Sequence, residues 1–225
     1  MTGVSPDTPR NRSLRLAAIG ALAFSVLFAV HHVLQAPGPA GSSPAEVAAY
    51  NVAHQAALLS SEVALGFGLL AFIVFLAPLA AVIWRDGHAS VAVAVLVAGT
   101  VFVALGFVSV AAETALVQVA GSNEPGAVDA LNQLQGRTPV VWAVAALVTI
   151  VSVDILRAGF LARWLGSSGL VLAGVFLLAS IASLVGRGVE GSYSLIGIGL
   201  FIVWMLSLSA ALWRTASATR TPADR

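Results

Sequence analysis

The sequence predicts an all-α membrane protein, six transmembrane helices in one bundle with both termini cytoplasmic. Three observations predict it. The chain is 59% hydrophobic and 9% charged over 225 residues, against about 25% charged residues in an average soluble domain. Its apolar residues gather into six runs, each near the roughly 20 residues that cross a bilayer as a helix. Its positive charges are all arginine, and nine of the eleven fall on one side of the threading those runs impose.

The elements follow in chain order. Residues 1–13 form a cytoplasmic tail carrying Arg10 and Arg12. The first span covers 14–34, with Arg15 at its start. A cleaved signal peptide is the competing reading for this stretch, but the apolar run is long for one and no clear A-x-A site follows. A Pro/Gly/Ser loop then leads to Ser43-Pro44-Ala45-Glu46, which reads as a helix start: serine cap, proline at the first helical position, glutamate closing a capping box. That helix runs toward Glu62, merging with the second span or bending before it. The second span covers 62–84 and contains Pro78, whose missing N–H frees the carbonyl of Val74.

The third span is long, 90–120. Between it and the fourth, Val128, Leu131 and Leu134 or Gln135 share one face of a short helix, ended by Gly136 before Pro139. The fourth span covers 140–156, the fifth 166–186 and the sixth 194–213; residues 214–225 form a second cytoplasmic tail. Small residues pair on single helix faces at Ala17 and Ala21, Gly99 and Gly106, and Gly169 and Ala173. Such spacing lets helices approach closely in lipid; it reads as packing rather than as a dimer motif.

Orientation comes from the arginines. Arg10, Arg12 and Arg15 flank the first span, Arg85 the second, Arg157 and Arg163 lie between the fourth and fifth, and Arg214, Arg220 and Arg225 follow the sixth. The positive-inside rule makes that side cytoplasmic. Trp84, Trp164 and Trp213 each neighbour an arginine there, as expected of indoles at headgroup level.

Composition also narrows the function classes. No basic cluster is dense enough for nucleic acid. Cysteine is absent, which excludes thiol nucleophiles, disulfides and cysteine-ligated metal sites. No H-E-x-x-H, phosphate-loop or G-x-S-x-G motif is present, and no pair of broken helices marks a midplane transport site. No cofactor is implied. The expected partner is the lipid bilayer, with a membrane protein partner or a second copy left open.

Depth counting isolates the residues that could carry chemistry. At about 1.5 Å per residue, Glu62 and Glu113 reach the outer boundary of their spans together. Arg137 and Arg187, the two arginines that depart from the inner pattern, fall at the same level, as do His31 and His32. His54 precedes Glu62 by eight residues; on a continuous helix it stands about 12 Å higher on roughly the same face. His31, His54, Glu62, Glu113, Arg137 and Arg187 are therefore the candidate outer-boundary polar site. Two readings stay open. Histidine with carboxylates can bind a divalent metal or move protons, and the arginines could hold an anion. Alternatively Glu62 and Glu113 pair with Arg137 and Arg187 and simply lock the helix ends. His31 and His32 point about 100° apart on a helix and do not suit a shared ligand. At the inner end Asp154 precedes Arg157 by three residues, the spacing of a local ion pair.

The segment Gly159-Phe160-Leu161-Ala162-Arg163-Trp164-Leu165-Gly166 resembles a recurring piece, G-x-L-P-R-W-L-G, of a bacterial membrane family with a domain of unknown function; Ala162 stands where that pattern has proline. The six-span layout and the long segment after the first span fit the resemblance. It implies a six-helix integral membrane protein with no established activity, and no catalytic residues carry over.

Overall fold

The computed structural model describes residues 8–35, 43–122, 124–137, 139–184 and 190–218, with backbone alone at 135–137, 182–184 and 190–195. Among the described residues there are eight helices and no strand: α1 Pro9–Leu34, α2 Pro44–Ala53, α3 Gln55–Arg85, α4 Ala89–Val119, α5 Pro125–Arg137, α6 Val140–Ala158, α7 Arg163–Leu184 and α8 Glu190–Ala218. Six of them, α1, α3, α4, α6, α7 and α8, are long and apolar enough to cross a membrane. The chain is a multi-pass helical membrane protein.

Local chemistry sets the helix ends. The Thr8 hydroxyl accepts from the Asn11 amide at the start of α1, with Pro9 in the first turn. The capping box at α2 forms in full: Ser43 caps the Glu46 amide and the Glu46 carboxylate returns to the Ser43 N–H. The helix from Ser43 does not merge with the second span. It breaks at His54 (φ −113°, ψ 14°), where α3 begins. α3 then continues through Pro78 to Arg85. Gly87 (φ 94°) turns the chain into α4, and Gly159 (φ 64°) ends α6, a left-handed conformation that costs glycine nothing.

The six spans close into a ring. α1 packs on α3, α3 on α4, α4 on α6, α6 on α7, α7 on α8, and α8 returns to α1. α1 comes close to α3, and a Cβ on Gly20 would collide with the backbone of Phe75. Gly99 and Gly106 accommodate Leu76 and Leu69 of α3 in the same way, and Gly169 leaves room for Ser152 of α6 and Trp204 of α8. The small residues singled out in the sequence thus serve close packing, which in lipid replaces the hydrophobic drive. The ring closes through Ser209 of α8, whose hydroxyl donates to the Ala18 carbonyl of α1 at 2.7 Å.

Phenylalanines fill the middle. Phe24 of α1 is fully buried and meets Phe72 of α3 at 4.9 Å, Phe102 of α4 at 6.2 Å and Phe201 of α8 at 5.9 Å between ring centroids. Phe176 of α7 joins through Phe201. These edge-to-face contacts put apolar rings where a polar path through the bundle would have to run. The outer faces carry the opposite kind of surface: Phe67, Val74, Val97, Val171, Leu178 and Val203 are all exposed, as suits a protein whose outer solvent is hydrocarbon.

The bundle has two distinct ends. At one, α2 and α5 pack together across the top of α3 and α4; this is the capped end. Val128 faces inward from α5 while Leu134 is half-exposed, so the expected apolar face of that helix is buried at its start and open further along. At the other, arginine-rich end, the start of α1 meets the ends of α3 and α8. The Arg10 guanidinium pairs with Asp86 at 3.0 and 3.3 Å, Arg85 donates to the Ser13 hydroxyl at 3.3 Å, and the Arg15 guanidinium lies 5.9 Å from the centre of the Trp213 ring. The described ends of α1 and α8 therefore share one side.

Candidate functional site

Three helices deliver polar side chains to the capped end. The last turn of α1 brings His31, His32 and Gln35, the second turn of α3 brings Ser61 and Glu62, and the last two turns of α4 bring Glu113. Depth counting from the sequence placed Glu62 and Glu113 at one level, and both are buried there, at 3% and 7% exposure.

Their partners lie across helices. Nδ1 of His31, itself buried, stands 3.1 Å from the Ser61 carbonyl and 3.5 Å from Oε1 of Glu62. The Ser61 hydroxyl donates to the Leu58 carbonyl at 2.7 Å and lies 3.3 Å from the same carboxylate oxygen. Gln35 donates its amide to both oxygens of Glu113 at 3.0 and 2.9 Å. Oε2 of Glu62 is buried with no hydrogen-bond partner among the described residues. Above this layer, burial pushes the phenol of Tyr50 on α2 above its ordinary range, with the negative charge of Glu113 adding to the shift. The cap helix thus reaches down to the buried carboxylate.

The candidate residues divide accordingly. His31 and Glu62 come together, and Glu113 sits at their level with Gln35. His54 does not join them. The break at His54 turns α2 away from the axis of α3, so the continuous-helix geometry that stacked His54 over Glu62 does not exist. His54 is exposed, with Nδ1 2.9 Å from the Tyr50 carbonyl and its ring stacked on Tyr50 at 4.3 Å. Arg137 ends α5, but its side chain lies outside the described residues, as does all of Arg187. The expected pairing of Glu62 and Glu113 with these two arginines therefore falls outside them too. His31 and His32 have perpendicular rings 4.7 Å apart, and His32 turns its Nδ1 to the Phe28 carbonyl at 2.9 Å, so the two imidazoles do not serve one ligand. Among the described residues no group of three or more histidines and carboxylates could hold a metal ion.

At the arginine-rich end the expected Asp154–Arg157 pair is corrected. Asp154 is 3% exposed and accepts from Nδ1 of His88 at 2.8 Å. Arg157 is exposed. The α3–α4 turn places His88 at the arginine-rich end of α6, and the buried face of that helix carries Asp154 toward it rather than toward the solvent-exposed arginine. His88 and Gln35 are the two partners that reading the sequence missed. A histidine in a short loop and an amide directly after an apolar run were the signals available.

Among the grooves on the described bundle, two lie away from the polar layer of the capped end. One of about 370 Å³ runs between α1 and α8 and is lined by Val26, Ala29, Val30, Val33 and Ile202 among others. The second, about 450 Å³, lies at the arginine-rich end between the start of α7 and α8. Neither is lined by His31, Glu62 or Glu113. Compared with known proteins, the chain matches no family model, no curated protein and no solved structure.

Proposed function

We propose that the chain is a bacterial inner-membrane protein, both termini cytoplasmic, that works as a partner-binding component and presents the α2–α5 cap outward. The observation that carries this reading is the closure of the capped end. His31 meets one oxygen of Glu62 and Gln35 meets both oxygens of Glu113 across helix boundaries, so these groups hold α1, α3 and α4 together. What stands free toward water is the cap itself, where Val52 and Leu134 are both half-exposed. Exposed apolar side chains among polar ones suit a protein contact. The arginine distribution supports the orientation, and the absence of lysine beside abundant Ala, Val and Gly supports a bacterial origin.

A second reading has one observation in its favour. The unpartnered Oε2 of Glu62 suits a hydrogen-bond donor or cation entering from outside, which makes the capped end a ligand site.

One experiment separates the two. The chain has no cysteine, so single cysteines can be labelled in intact cells with a membrane-impermeant maleimide. The closed reading expects Ser122→Cys to label, Ser61→Cys (0% exposed as serine) to stay protected, and Ala162→Cys to label only after permeabilisation. Labelling of Ser61→Cys as fast as Ser122→Cys would favour the open site. Labelling of Ala162→Cys but not Ser122→Cys in intact cells would invert the orientation.

A further inference from the structure

At the groove of about 450 Å³ at the arginine-rich end, apolar side chains coincide with an arginine that forms no ion pair with any described residue. Phe160, Leu161 and Trp164 from the start of α7 and the loop before it line the groove opposite Ala210 of α8, together with the polar side chains of Ser207, Arg214 and Thr215. The volume lies in the usual range of small-ligand pockets, roughly 300–1,000 Å³. Trp164 and Trp213 are both more than 45% exposed and neighbour arginines, which sets this level at the headgroup boundary.

Charge decides what the groove suits. The described acidic residues of this end are already engaged: Asp86 with Arg10 and Asp154 with His88. Arg214 forms no ion pair with any described residue, and Arg163 at the start of α7 is likewise exposed. The Thr215 and Ser207 hydroxyls spend their hydrogens on the Ala211 and Val203 carbonyls at 2.9 and 2.8 Å, which leaves the guanidinium as the groove's charged donor. A guanidinium recognises phosphate with paired N–H donors, and apolar walls below it accept hydrocarbon.

We infer that this groove holds an acidic phospholipid, its phosphate against Arg214 and the first part of its acyl chain against Phe160, Leu161 and Ala210. The inference depends on which end of the bundle carries the groove and not on which side of the membrane that end faces. It therefore stands apart from the proposed orientation and partner.

The test is native mass spectrometry of the full chain released from nanodiscs, which offer lipid to both ends. Discs of phosphatidylcholine with a minor share of phosphatidylglycerol are compared with phosphatidylcholine alone. The wild type retains one phosphatidylglycerol. Arg214→Ala retains about fivefold less, the order expected for one interfacial cation. Ala210→Trp fills the groove from an exposed position and expels the lipid with Arg214 intact. Arg157→Ala removes an exposed arginine outside the groove and keeps the lipid. Matching thermal unfolding of each variant in detergent shows that it is folded. Retention by Ala210→Trp, or equal losses in Arg157→Ala and Arg214→Ala, overturns the site in favour of general charge attraction. Displacement of the lipid by millimolar inorganic phosphate overturns the lipid in favour of a free anion.

Discussion

Replacing His88 by alanine strands a carboxylate in the bundle. Asp154 is 3% exposed, its Oδ1 accepts from the imidazole at 2.8 Å, and its Oδ2 has no hydrogen-bond partner among the described residues. Removing one member of a buried pair typically costs about 3–5 kcal/mol, because the survivor keeps its desolvation penalty without its partner. The His88 side chain is 37% exposed, so water can enter the space it leaves, which brings the expected loss to about 2 kcal/mol, near the cost of one unsatisfied charged group. Asp154→Asn keeps an acceptor at the same position and drops the charge, at a cost of about 1 kcal/mol. The double variant should lose less than the two single losses together, with a coupling of at least about 1 kcal/mol for groups in direct contact. Reversible unfolding in mixed micelles titrated with SDS, followed by tryptophan fluorescence and circular dichroism, measures all four corners of the cycle. A coupling under about 0.5 kcal/mol, the size expected of independent sites, would refute the pair. So would a loss in Arg157→Ala as large as that in His88→Ala, since it would restore the local i, i+3 partner.

Two further outcomes follow from features of the fold. Gly20→Ala puts a methyl against the Phe75 backbone and should destabilise by about 2 kcal/mol or more, in the range of overpacking. Gly66→Ala has no heavy atom within 4 Å and should be neutral or stabilising by up to about 1 kcal/mol through helix propensity; equal effects of the two in the same unfolding assay would sink the close-approach argument. Hydrogen bonds from the Ser43 N–H and hydroxyl hold the Glu46 carboxyl below its usual range. A depressed folded value means that this stabilisation is complete above the ordinary carboxylate value and is lost as pH falls through the folded one. Amide protection in α2, taken as exchange relative to the intrinsic rate at each pH, should therefore fall between pH 7 and pH 3 more than in Glu46→Gln. The same fall in both would assign it to other groups.

The spans were legible because each is a long apolar run, and bilayer thickness leaves such runs one solution. The capping box at Ser43 was legible for a different reason: its partners sit three residues apart, within reach of local reading. Packing glycines were readable by spacing, although only the fold shows that Gly20 faces a backbone while Gly66 faces open space. The polar pairs were the hard part. His88 and Asp154 are 66 residues apart, and Gln35 and Glu113 are 78 apart. Arg157 offered Asp154 a partner within one turn, and sequence spacing favours such local pairs. Which face of α6 turns inward depends on its packing against α4 and α7, and that information is not held in any short segment. His54 failed for a related reason. Its alignment over Glu62 needs eight residues of continuous helix, and the bend at His54 removes that register.

The ring of spans sets the order in which the protein can become whole. Each span has two neighbours among the six spans, and the seam between α1 and α8 joins the first and last of them along the chain, with Ser209 reaching back 191 residues to Ala18. During synthesis α1 meets α3 early, but the face of α1 that carries Ala18 and the Phe201 side of Phe24 wait in lipid until α8 arrives. Closing so long a loop is slow relative to pairing adjacent spans. The nascent chain therefore passes through an open crescent whose aromatic centre faces the bilayer. Quality control acting at that stage would read the completion of α8 in the state of α1, so a lesion near the C-terminus would be felt first at the opposite end of the sequence.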